Sequence, residues 1–166
     1  MAAVDYAFPW DGLVSRFKFR DQPELAACLL PRMVAAVNSA DLPRPDLLLP
    51  VPLSAQRLRE RGYNQAWELA RRLGALLGQV GHADVLVRGR DTAHQVGLDR
   101  AARAANLRDS LWVEPAATLR VAGRSIALVD DVMTTGATAE AAALALRRAG
   151  AAHVQVWVCA RTPQAN

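Results

Sequence analysis

The 166-residue sequence has little lysine, little cysteine and no long apolar run. Lys18 is its only lysine, and Cys28 and Cys159 are its only cysteines. Two distant cysteines without a CxxC pair exclude a zinc ribbon or a disulfide framework within this chain. Because their neighbours are apolar, we expect both thiols to be buried. No segment is apolar enough to cross a membrane and no leader pattern opens the chain, so we expect a cytoplasmic protein.

Length and composition fit one compact domain. A chain of 166 residues can bury one core but hardly two. A hydrophobic content of 52% argues against intrinsic disorder. The formal net charge of +4 suits an anionic ligand or a nucleic acid, and equally an ordinary basic surface. Charge alone therefore leaves the class of partner open.

Apolar patterning predicts an α/β fold with a mostly parallel sheet. Residues 47–51, 125–129 and 153–159 are predicted to form strands, and residues 64–77 and 137–149 to form helices. A strand, a helix and a strand in that order make a right-handed βαβ unit with parallel strands. A further helix is predicted at 23–38, and short strands at 84–87 and 111–113.

One strand–turn–helix segment has the composition of a ligand site. The strand at 125–129 ends in Asp130 and Asp131, two carboxylates that repel each other unless donors satisfy them. Ribose hydroxyls are such donors, and a hydrated Mg²⁺ nearby would offset the charge. The turn that follows can aim backbone N–H groups at a phosphate beside a helix N-terminus. The predicted phosphate-binding residues are Val132, Met133, Thr134, Thr135, Gly136, Ala137 and Thr138.

Three other interpretations of this segment are weaker. An acidic strand end before an N-capping threonine is common in α/β proteins, but the full run VDDVMTTGAT is much more specific. The second nucleotide motif of P-loop NTPases also ends a strand in acids, yet the sequence contains no GxxxxGK[ST]. A phospho-receiver domain needs a lysine downstream of its acids, and Lys18 lies upstream.

This segment resembles the phosphoribosyl-pyrophosphate (PRPP) loop of type I phosphoribosyltransferases. Residues 51–66, with VPLS and RGYNQA, and residues 88–98, continuing to Arg103 and Asn106, narrow the resemblance to the ComF/GntX-like (competence protein F) family. The resemblance extends over about residues 10–162. It implies a type I phosphoribosyltransferase fold, with a mostly parallel central sheet flanked by helices. It also implies a single domain over 1–166, with a small N-terminal hood at about 1–40 and a core at about 41–162.

The resemblance also implies roles for individual residues. It implies catalytic roles for Asp130, Asp131 and Arg90, with Mg²⁺ held near the two aspartates. Two groups complete the implied site. For the arginine in the first group the rival interpretation is a solvated basic face, and for the second group it is a mobile surface loop without catalytic function. The two groups are a pyrophosphate loop of Val51, Pro52, Leu53 and Ser54 with Arg61, and a flexible loop containing Arg88, Arg90, Thr92, Gln95, Arg103 and Asn106.

Two departures from the family pattern bear on function. The usual N-terminal four-cysteine zinc finger is not in this sequence. The aspartate and lysine that oxopurine transferases carry at the places of Thr134 and Ala137 are also missing, which argues against an oxopurine acceptor.

The implied function is transfer of a 5-phosphoribosyl group to a nucleobase or other acceptor, with release of pyrophosphate and a link to DNA uptake. The alternatives are a non-catalytic PRPP- or nucleotide-binding module and a protein that binds single-stranded DNA. Competence proteins and a second copy of the chain are further partners that the resemblance implies.

Overall fold

Five parallel strands form the centre of the fold. The computed structural model describes residues 1–19, 22–89 and 110–163. Its sheet has the strand order β1-β7-β6-β2-β3, and a separate antiparallel pair is formed by β4 and β5. The strands are β1 (Ala2–Asp5), β2 (Leu47–Pro50), β3 (Val80–Gly81), β4 (Leu86–Arg88), β5 (Leu111–Val113), β6 (Ser125–Met133) and β7 (His153–Arg161).

Helices cover both faces of this sheet, as a parallel sheet requires. The helices are α1 (Trp10–Phe19), α2 (Ala26–Ser39), α3 (Ala55–Arg61), α4 (Gln65–Leu77), α5 (Thr118–Val121) and α6 (Ala137–Arg148), with short 3-10 turns at Pro23–Leu25 and Pro115–Ala117. None of the helices in the described ranges is long and apolar enough to cross a membrane.

Side chains alternate along β6 and so divide the core into two. Ile126 and Leu128 pack with the buried face of α6, whereas Ala127 and Val129 pack with α1, α2 and α4 on the other face. Continued alternation places Asp131 on the same face as Ala127 and Val129. The face that carries α1 is therefore also the face on which Asp131 lies.

The N-terminal segment contributes both a strand and helices. Strand β1 pairs with β7, and Val14, Phe17, Leu29 and Met33 of α1 and α2 are buried against the sheet. The segment thus extends the central sheet as well as covering it. The boundary between a hood and a core stays a prediction.

Most predicted elements lie within a few residues of the observed ones, but several observed elements, among them β1 and α1, were not predicted. Helix α3 was not predicted, because its sequence AQRLRER has no buried residue to give an apolar period. The expectation that Cys28 is buried is wrong: it lies on the exposed side of α2, while Cys159 is buried in β7. The apolar neighbours of Cys28 in sequence, such as Leu29 and Leu30, face the core instead.

Candidate functional site

Asp130 and Asp131 lie near the carboxyl end of β6, the central strand of the sheet. Asp131 is buried and Asp130 is partly buried. The backbone N–H of Asp131 donates to Asp130 Oδ1 at 2.9 Å, and the N–H of Val132 donates to Asp131 Oδ1 at 2.7 Å. Each carboxylate is therefore oriented by the backbone of the next residue.

The electrostatics of the pair are unbalanced. Burial, followed by the charge of Asp131, raises the pKa of Asp130 to about 8. Asp131 has a cationic partner, because Lys18 Nζ lies 3.2 Å from its Oδ1. Asp131 Oδ2 is buried and has no hydrogen-bond partner among the described residues. A buried carboxylate oxygen without a donor is costly, so this atom is suited to a donor from a ligand.

Lys18 is the residue of this site that the sequence did not reveal. It lies in the last turn of α1, far from Asp131 along the chain. No local pattern connects the two positions. That Lys18 is the only lysine carries no information on where its side chain lies.

The predicted phosphate turn runs from β6 into α6. Gly136 adopts φ +81°, a left-handed conformation that favours glycine, and it is the N-terminal cap residue of α6. Thr134 and Thr135 are exposed, and residues 136–138 are partly buried. Thr135 Oγ1 accepts from the N–H of Ala137 at 3.4 Å, but no side chain in the described ranges caps the helix at Gly136. The turn therefore presents a helix N-terminus of the kind that binds anions.

The predicted pyrophosphate loop lies next to the acidic strand end. The N–H of Val51 donates to the carbonyl of Val129 at 2.8 Å, immediately before the acid pair. Pro52 and Ser54 are buried, Leu53 is partly buried, and Ser54 Oγ caps α3 by accepting from the N–H of Arg57. The structure thus brings residues 51–54 and the acid pair to the same edge of the sheet.

The segment RGYNQA connects this loop to the end of α1. The side-chain amide of Asn64 donates to the carbonyl of Val51 at 3.1 Å, and the Tyr63 hydroxyl donates to the carbonyl of Phe17. Arg61 donates to Gln65 Oε1 at 3.1 Å, and its guanidinium lies 5.0 Å from the centre of the Phe19 ring. These contacts connect Arg61 with Gln65 and with Phe19 at the end of α1. Its role in binding a diphosphate stays a prediction.

The predicted flexible loop is described only at its start. Arg88 lies in β4, paired in register with Leu111 of β5. The other predicted loop residues, Arg90, Thr92, Gln95, Arg103 and Asn106, lie outside the described residues.

The acid pair fits a magnesium ion that is shared with a ligand. Within the described ranges there is no cluster of three or more His, Cys, Asp or Glu side chains suited to a metal. Mg²⁺ does not need such a cage, since it commonly binds through one or two carboxylates together with substrate phosphates and water. Asp130 and Asp131 lie side by side near the strand end and can supply carboxylate oxygens of that kind.

Comparison with known proteins assigns the family. Residues 58–166 match the family described as phosphoribosyl transferase domain. The DNA utilization protein YhgH of Salmonella typhi is 39% identical over 166 residues, an alignment that covers 98% of this chain and 71% of that protein. Competence protein F of Haemophilus influenzae is 34% identical over 160 residues, covering 94% of this chain and 69% of that protein.

Solved structures agree on the fold. The glutamine PRPP amidotransferase from B. subtilis, complexed with ADP and GMP, superposes with a TM-score of 0.53 at 20% identity, covering 81% of this chain and 26% of that one. The allosteric regulatory enzyme of purine biosynthesis gives a TM-score of 0.50 at 21% identity, covering 81% and 25%. The predicted type I phosphoribosyltransferase fold is confirmed. By its domain and its relatives, this chain belongs to the competence protein F (ComF) family of phosphoribosyltransferase-domain proteins.

Proposed function

We propose that this protein binds PRPP together with Mg²⁺ and transfers its 5-phosphoribosyl group to an acceptor. The observation that supports this most strongly is Asp131. Its carboxylate is buried beside Asp130 at the end of the central strand, and one of its oxygens has no donor among the described residues. A ligand that brings hydroxyl donors, such as a ribose, satisfies that oxygen.

The neighbouring segments match the other parts of PRPP. Asp130 and Asp131 accept from the 2′ and 3′ hydroxyls, and the turn from Thr134 to Thr138 binds the 5-phosphate at the N-terminus of α6. The loop at 51–54 faces the pyrophosphate. When bound, Mg²⁺ neutralises part of the charge on the pyrophosphate leaving group.

The reaction asks mainly for positioning and charge stabilisation. The bond from C1 to the pyrophosphate oxygen breaks and a bond from C1 to the acceptor forms. The acceptor's proton passes to water, and pyrophosphate leaves with the electron pair of the broken bond. Carboxylates held at the ribose hydroxyls fix the sugar while positive character develops at C1. Because Thr134 and Ala137 provide neither a carboxylate nor a lysine, the proposed acceptor is not an oxopurine.

The relatives' names support a role connected with DNA. Proteins named for DNA utilization and for competence cover nearly the whole of this chain at 34–39% identity. We therefore place the proposed activity in the handling or uptake of DNA. The absence of a base at Thr134 also keeps a second candidate, a PRPP-binding module without turnover.

Pyrophosphate release separates the two candidates. The wild-type protein is incubated with PRPP, Mg²⁺ and each member of a panel of nucleobases, and pyrophosphate is measured over time. Release that depends on one acceptor and is lost in Asp130→Asn supports the transferase. Ligand-dependent thermal stabilisation by PRPP, without release for any acceptor, supports the module instead.

A further inference from the structure

Lys18 is held in place by its backbone as well as by its charge. Gln65, which is 1% exposed, donates its side-chain amide to the carbonyl of Lys18 at 3.2 Å. The preceding carbonyl, that of Phe17, accepts from the Tyr63 hydroxyl, and the two rings lie 6.0 Å apart. Because Phe17 is fully buried, the last turn of α1 has little freedom to move.

The last turn of α1 places the ammonium of Lys18 beside one oxygen of the Asp131 carboxylate. Lys18 is only 19% exposed, and its Nζ lies 3.2 Å from Asp131 Oδ1. The same oxygen accepts from the N–H of Val132 at 2.7 Å. Two donors therefore converge on Oδ1, while Oδ2 of the same buried group has none among the described residues. The pairing fixes which oxygen is left for a ligand.

Charge gives the contact a second effect. Two adjacent carboxylates repel each other, and a cation at hydrogen-bond distance opposes that repulsion. The ammonium of Lys18, 3.2 Å from Asp131 Oδ1, therefore places a positive charge directly beside the acid pair. Lysine has three N–H donors, so it can satisfy Oδ1 and still contact other groups.

We propose that Lys18 is a positioning residue of the ribose-binding acid pair, held on Asp131 by the RGYNQA segment (residues 61–66). This inference rests on the proposed function, because the group that Asp131 Oδ2 accepts from is taken to be a ribose hydroxyl. It also gives the RGYNQA segment a purpose. The segment ties the pyrophosphate loop, through Asn64, and the last turn of α1, through Tyr63 and Gln65, into one unit.

The first test is a calorimetric titration of PRPP with Mg²⁺ into a set of variants. Lys18→Met removes the charge at similar length, Lys18→Arg keeps a charge, and Arg16→Met removes a different, exposed charge from the same helix as a matched control. We expect Lys18→Met to weaken binding about 10- to 100-fold, the range for a hydrogen bond to a charged group. Lys18→Arg should recover part of the loss, and Arg16→Met should bind like the wild type.

A double-variant cycle shows whether Lys18 acts through Asp131. If it does, Lys18→Met combined with Asp131→Asn binds no more weakly than Asp131→Asn alone. Fully additive losses overturn the inference. If the wild type binds PRPP and Lys18→Met binds it within threefold of the wild type, this inference is overturned while the proposed function stands. A wild-type protein that does not bind PRPP overturns the proposed function as well.

The single lysine allows a readout in the unmodified protein. Lysine labelled with ¹³C at Cε gives one side-chain NMR signal, that of Lys18. The signal should differ from that of free lysine, move to the free position in Asp131→Asn, and stay at a paired position when PRPP and Mg²⁺ bind. Movement to the free position on ligand binding means that Lys18 is a displaced counter-ion, and it overturns the positioning role.

Discussion

Replacing Asn64 tests whether one side chain both caps a helix and holds the predicted pyrophosphate loop. Its carbonyl oxygen accepts from the N–H groups of Ala66 and Trp67 at 2.9 and 3.4 Å, and its amide donates to the carbonyl of Val51 at 3.1 Å. Loss of a helix cap costs about 1 kcal/mol. Loss of a donor to the carbonyl of a buried residue costs about 1 kcal/mol more. Asn64→Ala should therefore destabilise the fold by about 2 kcal/mol.

The assay is urea unfolding, supported by thermal melts. In a domain of this size, about 2 kcal/mol corresponds to a fall in Tm of about 4–8 °C. Asn64→Asp is the matched variant, because a carboxylate still caps α4 but cannot donate to Val51. Asn64→Asp should lose less stability than Asn64→Ala. Both variants should weaken PRPP binding to a similar extent, because both lose the donor to the carbonyl of Val51. A change below about 0.5 kcal/mol in Asn64→Ala, or equal losses in both variants, refutes this assignment of roles.

Three further predictions concern stability and reactivity. Gly74→Ala should destabilise by about 1–3 kcal/mol in urea despite its better helix propensity, because the new Cβ would lie 2.7 Å from a backbone carbonyl oxygen. The stability of the ligand-free protein should fall as the pH rises from about 4 to about 8, because the raised pKa of Asp130 makes the native state bind more protons in that range than the unfolded state. Thermal melts should show that Tm depends less on pH in Asp130→Asn. Native protein should react with a thiol reagent at Cys28 alone, because burial and then Asp131 raise the pKa of Cys159 to about 12, and unfolding should expose a second thiol.

The sequence predicted the parts of the fold that have a local signal. Strand β6 appeared as a continuous apolar run, and α4 appeared through an apolar period that ends at Gly78, whose φ of +68° closes the helix. The acid pair and the glycine turn were predicted for the same reason. Their residues are adjacent, so their order alone places the acid pair towards the end of the strand and the glycine at the start of the helix.

The parts that depend on distant contacts were not predicted. Strand β1 is defined by pairing with β7 at the other end of the chain, and α3 has no buried residue. Cys28 was assigned to the core because its neighbours are apolar, although the helix turns it outward. The contact between Lys18 and Asp131 depends on the face of the sheet that α1 covers, which becomes known only once the strand order is known.

The central claim is that Asp130 and Asp131 bind PRPP, and calorimetric titration of PRPP with Mg²⁺ tests it most directly. The control is Asp46→Asn, at the opposite, amino end of the sheet, where that carboxylate accepts from the N–H of Ser125. We predict saturable binding by the wild type and by the control, and no measurable heat for the double variant Asp130→Asn/Asp131→Asn. Binding by the double variant that equals that of the wild type would contradict the account.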